Sequence, residues 1–184
     1  MAVTLPTSIV ESLDALWANL SDFAHVLHYT NKSAFHITLA FLGNVSEDDE
    51  EVMSAALKSA CSGFGHLSLA VGQGGSFPED EAARLLWLRV EGQVNRLRDL
   101  QQLVEATLTT QSVDLGTRPF SPHVSIARVS RTATIVDRRR LTQLASKLDG
   151  YDAGLFDIDK IVVLASNLSP KGTLYTPISE IPLI

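Results

Sequence analysis

Residues 35–43, FHITLAFLG, and residues 122–130, PHVSIARVS, carry one phrase twice: a histidine, an apolar residue, a hydroxyl residue, then small and apolar residues. The surroundings match too. In each half a strand-like segment and an amphipathic helix pattern precede the phrase, and a second helix pattern follows it. His36 lies 28 residues after Ser8, and His123 lies 29 residues after Val94, each counted from the start of the preceding helix pattern. A repeat of this length constrains architecture, because two similar units must bury similar faces. It predicts one domain over 1–184 built from two pseudo-repeats, approximately 1–72 and 84–166. Each repeat reads as a β-α-β-β-α-β unit with its helices on one face of the sheet. The expected fold class is α+β: bilobal, with duplicated units whose antiparallel-rich sheets form a central cleft.

The elements follow from periodicity. VTL at 3–5 reads as a short strand. A helix is expected over about 8–21, with Ser8 and Glu11 at capping-box spacing and Ile9, Leu13, Leu16 and Leu20 on one face. Strands are expected at 24–30 and 34–42. Ser46 should cap a helix running to about 62, whose acidic start suits the macrodipole and whose inward face is Val52, Ala56, Leu57 and Ala60. HLSLAVG at 66–72 alternates as a strand, and GQGGSF reads as a loop without phosphate-binding spacing. RLLWLRV at 84–90 is a strand. A helix over 93–110 carries Val94, Leu97, Leu100, Val104 and Leu108. A strand over 120–129, a helix over 137–148 and strands over 157–166 and 173–183 complete the chain.

Side chains alternate across a strand. Ile37, Leu39 and Phe41 therefore share an apolar face, and His36, Thr38 and Ala40 share the other. The second copy repeats the division, with Val124 and Ile126 against His123, Ser125 and Ala127. Two such polar faces brought together enclose two imidazoles and two hydroxyls. One imidazole can take a proton while the other gives one, and the hydroxyls can hydrogen-bond the non-bridging oxygens of a phosphodiester. His25, His28 and His66 lack a partner pattern and read as structural.

Other classes fit less well. Cys61 is the only cysteine, so an intramolecular disulfide and cysteine-based zinc sites are out. No H-x-H, H-x-x-x-H or cysteine pair completes a metal site around the two histidines, so neither metal nor cofactor is expected. There is no G-x-S-x-G, and no acid is placed to orient a histidine for a serine nucleophile. No apolar run approaches the ~18 residues that cross a bilayer, and the amino-terminal stretch lacks a signal-peptide pattern. A cytoplasmic monomer is the expectation. The net charge of −6 argues against an extended nucleic-acid groove but allows a pocket that reads a nucleic-acid end.

HITLAFLGNV and PHVSIARV resemble the paired H-x-[T/S]-x motifs of the two-histidine (2H) phosphoesterase superfamily, and within it the RNA 2′,3′-cyclic phosphodiesterase family, historically called 2′-5′ RNA ligases. LWLRVEG, RPFSPHVSIARV and LASNLSPKGTLYTPISEIPL extend the likeness over nearly the whole chain. The resemblance implies hydrolysis of a 2′,3′-cyclic phosphate at an RNA 3′ end to a 2′-phosphate. It implies His36 as general acid and His123 as general base, with Thr38 and Ser125 binding the phosphate. Arg128 matches a basic position after the second motif. Strict alternation puts it on the apolar face, so it is either a phosphate ligand that reaches round or half of a structural ion pair. HYTNKSAFH lacks the Pro-Glu-Asn-Leu typical before the first motif, and Ser121 stands where many members have arginine. The same acid–base pair also suits 2′-5′ RNA ligation or hydrolysis of another small cyclic phosphate. The alternative of another class is a non-catalytic RNA-end or nucleotide-binding module.

Overall fold

The computed structural model describes residues 1–13, 16, 19–79, 82–113, 115, 119–148, 153–169 and 172–184. Nine strands among them form a single sheet: β1 (Ala2–Thr4), β2 (Leu27–Tyr29), β3 (His36–Thr38), β4 (Leu67–Phe77), β5 (Leu85–Gly92), β6 (His123–Val129), β7 (Leu155–Ile158), β8 (Lys160–Ser169) and β9 (Gly172–Pro182). Their order is β7-β4-β5-β6-β3-β1-β8-β9, every pairing is antiparallel, and β2 lies beside β6. The helices are α1 (Thr7–Ser12), α2 (Glu47–Cys61), α3 (Val94–Thr110) and α4 (Ile135–Ser146). The architecture is α+β, with one curled sheet in place of a separate sheet for each lobe. Either side of the β6–β3 boundary the order is mirrored. β4-β5-β6 lies on one side and β3-β1-β8 on the other, so each half of the chain lends one strand to the other side.

Helix boundaries follow local chemistry, with two corrections. The first helix is capped by Pro6 without a side-chain bond, so Ser8 lies inside the first turn and no Ser8–Glu11 capping box forms. Its apolar stripe is as expected, with Ile9, Leu13, Leu16 and Leu20 all buried. Ser46 does cap α2, its hydroxyl accepting from the Asp49 N–H at 3.2 Å. The buried face of α2 is Met53, Ser54, Leu57 and Cys61, however, and Val52 is 59% exposed. Both stripes include Leu57 and fit a 3.6-residue period. Met53 and Cys61 cover more apolar area than Ala56 and Ala60, and burial scales with area. Thr134 caps α4 in a reciprocal capping box with Asp137. None of the described helices is long and apolar enough to cross a membrane.

Two strand readings change as well. Only His36–Thr38 pairs in the segment expected as a nine-residue strand. Beyond Thr38, the Leu39 N–H donates to the Met1 carbonyl at 2.9 Å, the chain leaves the ladder, and Phe41 is 67% exposed. The GQGGSF segment, read as a loop, is instead the second half of β4, continuing past a bulge between Val71 and Gly74. The glycines there serve close approach. A Cβ on Gly75 would collide with the Trp87 ring, and one on Gly74 with Leu148 at the end of α4. A Gly-rich string looks like a turn in sequence, yet in a sheet it makes room for a large side chain across the ladder.

Gly75→Ala is expected to destabilise the fold by about 1–3 kcal/mol, the usual cost of overpacking. The urea midpoint measures it. An unchanged midpoint would mean the Trp87 ring moves aside without cost.

Candidate active site

β6 and β3 meet where Ile37 pairs with Val124. Both side chains are fully buried, so they mark the core-facing side of their strands. Antiparallel continuation on either side of that pair sets His36 across from Ser125 and Thr38 across from His123. Alternation turns all four toward the open face of the sheet, where each is half-buried. The two histidines and two hydroxyl residues singled out in the sequence are thus brought together as two crossed His–hydroxyl pairs.

Both rings are held alike. His36 Nδ1 lies 2.7 Å from the Ala34 carbonyl, and His123 Nδ1 lies 2.7 Å from the Ser121 carbonyl. A carbonyl only accepts, so each Nδ1 carries the proton and each neutral ring presents Nε2 as a base. The local chain builds these acceptors. Ahead of β3 a short 3₁₀ turn, Lys32–Ala34, is capped by the Asn31 side chain and turns the Ala34 carbonyl back to the ring. Ahead of β6, Pro122 holds Ser121 away from helical backbone and presents its carbonyl. The Thr38 and Ser125 hydroxyls have no partner among the described residues, so their hydrogen-bonding capacity is left for a ligand.

Aromatic rings flank each histidine. Tyr175 of β9 meets His36 edge-on with centroids 4.7 Å apart. Phe77 meets His123 edge-on at 5.4 Å and stacks on Trp87 at 5.2 Å. Burial pushes the His36 imidazole below its ordinary value. The Ala34 carbonyl offsets part of that, while the chain's amino-terminal charge and His123 push it further down.

Arg128 lies on the open face, contrary to strict alternation. Trp87 pairs with Ser125, but Leu86 pairs with Ala127, so β6 carries one extra residue at Ile126. Such a bulge inverts the alternation beyond it. Ala127 and Val129 turn to the core, and Arg128 is exposed across from Leu85, with no ion-pair partner among the described residues. Arg89 and Trp87 were not singled out in the sequence, yet they stand across from His123 and Ser125 on the same face. The alternation of LLWLRV, with Leu86, Leu88 and Val90 inward, contains that signal. Tyr175 had no local signal, because its strand arrives from far along the chain. No group of three or more His, Cys, Asp or Glu among the described residues is arranged to hold a metal ion.

The model of the 2′-5′ RNA ligase superfamily matches residues 5–169. The chain belongs to that superfamily. One relative is the RNA 2′,3′-cyclic phosphodiesterase of Aeropyrum pernix, 28% identical over 147 residues that span 80% of this chain and 81% of the relative. Among solved structures, TT0787 of Thermus thermophilus superposes with a TM-score of 0.79 at 20% identity, covering 99% of this chain and 95% of that one. E. coli LigT complexed with 3′-AMP superposes with a TM-score of 0.74 at 22% identity and the same coverage. These two show that the superfamily's fold is kept here although few residues are shared.

The lowered His36 value sets a stability prediction. As pH falls from about 6.5, the unfolded imidazole takes its proton before the folded one does. The contribution of His36 is therefore fully present above that pH and is lost as pH falls toward the folded value. The drop in urea-unfolding free energy between pH 7.5 and pH 5 should be smaller in His36→Gln than in the parent chain. An equal drop in both would show that His36 binds its proton alike in the two states.

Proposed function

We propose that this open face is the active site of an RNA 2′,3′-cyclic phosphodiesterase, acting as a cytoplasmic monomer on RNA 3′ ends. The observation that carries the proposal is the crossed pair of half-buried hydroxyls between two imidazoles tethered at Nδ1. The names of the curated relatives and the superfamily match support the substrate class, and the mirrored strand order supports reading 1–72 and 84–166 as pseudo-repeats.

The chemistry uses four side chains. The cyclic phosphate sits between β3 and β6, with Thr38 and Ser125 donating to its non-bridging oxygens. His123 Nε2 takes a proton from water as the water oxygen attacks phosphorus. His36, protonated, gives its Nε2 proton to the 3′-oxygen as the P–O3′ bond breaks in line. The product carries a 2′-phosphate and a free 3′-hydroxyl, and the two histidines have exchanged protonation states. Each correctly placed acid or base contributes on the order of 10²–10⁴-fold. Desolvation makes His36 the readier donor, and a bound phosphodiester anion beside it restores protonation before reaction. Arg128, turned outward by the bulge, adds positive charge near the phosphate, and Arg89 stands beside His123.

Two measurements test the roles. Thr38→Val and Ser125→Ala should each lower kcat/KM on a 2′,3′-cyclic phosphate by about 10–150-fold, the value of a hydrogen bond to a charged group. Full activity in both variants would place the phosphate elsewhere. His36→Ala should be severely impaired on the cyclic ribose phosphate but partly recover on an aryl phosphodiester, whose leaving oxygen needs no acid. His123→Ala should be impaired on both. Recovery by His123→Ala alone would reverse the assignment.

A further inference from the structure

A cavity of ≈ 480 Å³ opens at the rim of the sheet, away from the histidines, and three of its lining residues are arginines: Arg84, Arg131 and Arg138. They come from three elements. Arg84 closes the β4–β5 hairpin, its N–H donating to the Phe77 carbonyl at 2.8 Å and its carbonyl accepting from the Val129 N–H at 2.9 Å. Arg131 lies in the turn after β6, where the Ser130 hydroxyl accepts from the Thr132 N–H at 3.2 Å. Arg138 lies on α4. Its guanidinium donates to the carbonyls of Ala83 at 3.0 Å, Ser130 at 2.6 Å and Ala133 at 3.3 Å, tying hairpin, turn and helix together.

The charge of this cluster is not cancelled among the described residues. Arg138 is held by neutral carbonyls alone. Arg84 and Arg131 are exposed and make no ion pair among the described residues. Asp137, the acid beside Arg138 on α4, is engaged by the Thr134 hydroxyl and N–H. Glu79, next to the lining residue Pro78, forms no ion pair among the described residues either. Asp80 and Glu81 lie outside the described residues. In a chain of net charge −6, three guanidinium groups around one cavity are a local exception to the whole.

The cavity is joined to the proposed site from two directions. Phe77, whose ring meets His123, is followed directly by Pro78 of the cavity wall. Along β6, His123 and Ser125 lead to Arg128 on the open face, and Val129 beyond it lines the cavity. Val129 of the cavity wall lies four positions beyond Ser125 on β6, roughly 13 Å at about 3.3 Å per residue. That is too far for the cavity to hold the reacting phosphate itself. Guanidinium groups pair bidentately with phosphate, and arginine suits that role better than lysine.

We propose that the Arg84–Arg131–Arg138 cavity binds a phosphodiester of the RNA strand upstream of the cyclic end, so that the enzyme favours oligonucleotides over mononucleotides. The proposal rests on the activity proposed above. One upstream phosphate is held at a fixed point, without an extended groove. Arg138 keeps the pocket in shape, and Arg84 and Arg131 supply the mobile contacts.

The experiment compares kcat/KM for a nucleoside 2′,3′-cyclic monophosphate and for a short oligoribonucleotide ending in the same cyclic nucleotide. It uses the parent chain and Arg84→Gln/Arg131→Gln, leaving the structural Arg138 untouched. The parent should favour the oligonucleotide by about tenfold or more, within reach of two charge-assisted contacts. The double variant should lose that preference and keep the mononucleotide rate. The slope of log kcat/KM against log salt for the oligonucleotide should also fall in magnitude by about 0.7, the value for one neutralised phosphate on a single strand. A parent without preference overturns the pocket alone, as does a variant that keeps the preference or loses both rates equally. Turnover of neither substrate by the parent overturns the activity, and the pocket with it.

Discussion

The pairing of Ile37 with Val124 is the contact on which the rest of the molecule depends. It joins strands from the two halves of the chain at the middle of one sheet, and both side chains are fully buried against the helix-packed side. Burying each contributes on the order of 1.5–3 kcal/mol. The same pair fixes which residues face the other way. A slip of one residue would turn His36, Thr38, His123 and Ser125 into the core and expose Ile37, Val124 and Ile126. Core stability and site geometry are therefore one constraint read on two faces.

The surroundings refine that register. Each histidine is oriented by a carbonyl two residues upstream, and the two carbonyls are set by different local devices, an Asn-capped 3₁₀ turn and a proline. Two routes thus converge on one geometry, a tethered Nδ1 and a free Nε2. Aromatic contacts differ between the sides. His36 has Tyr175 from β9, while His123 has the Phe77–Trp87 stack, which is possible only because Gly75 lacks a Cβ. The proposed site is symmetric in its histidines and hydroxyls and asymmetric in its walls, which gives two identical imidazoles different surroundings.

The bulge at Ile126 has consequences beyond the strand that contains it. It inverts the alternation so that Arg128 faces outward, and it lets β2 take over the edge of β6 that the short β3 leaves free, with Leu27, His28 and Tyr29 opposite Val129, Arg128 and Ala127. The chain then leaves the sheet at Ser130, whose carbonyl is tied to Arg138. One extra residue in a strand connects the open-face histidines and hydroxyls to the arginine-lined rim.

Several things were legible in the sequence because they depend on local order. The repeated phrase, the two-faced alternation of both motif strands, the Ser46 cap and the stripe of Leu97, Leu100, Val104 and Leu108 follow from periods of 2 and 3.6 and from capping chemistry. Together they determined the α+β class and the four residues that share a face. The tertiary structure decided what periodicity cannot weigh. Met53 and Cys61 displaced Val52 on the buried face of α2 because competing stripes are settled by the area a neighbour covers. Gly74 and Gly75 entered a strand because Leu148 and Trp87 needed the room. Arg128 reached the open face through a bulge visible only in the pairing of two strands. Tyr175, Arg89 and the arginine-lined cavity arose where segments distant in the chain meet, since which side chains become neighbours across a sheet is set by register and packing and not by spacing along the sequence.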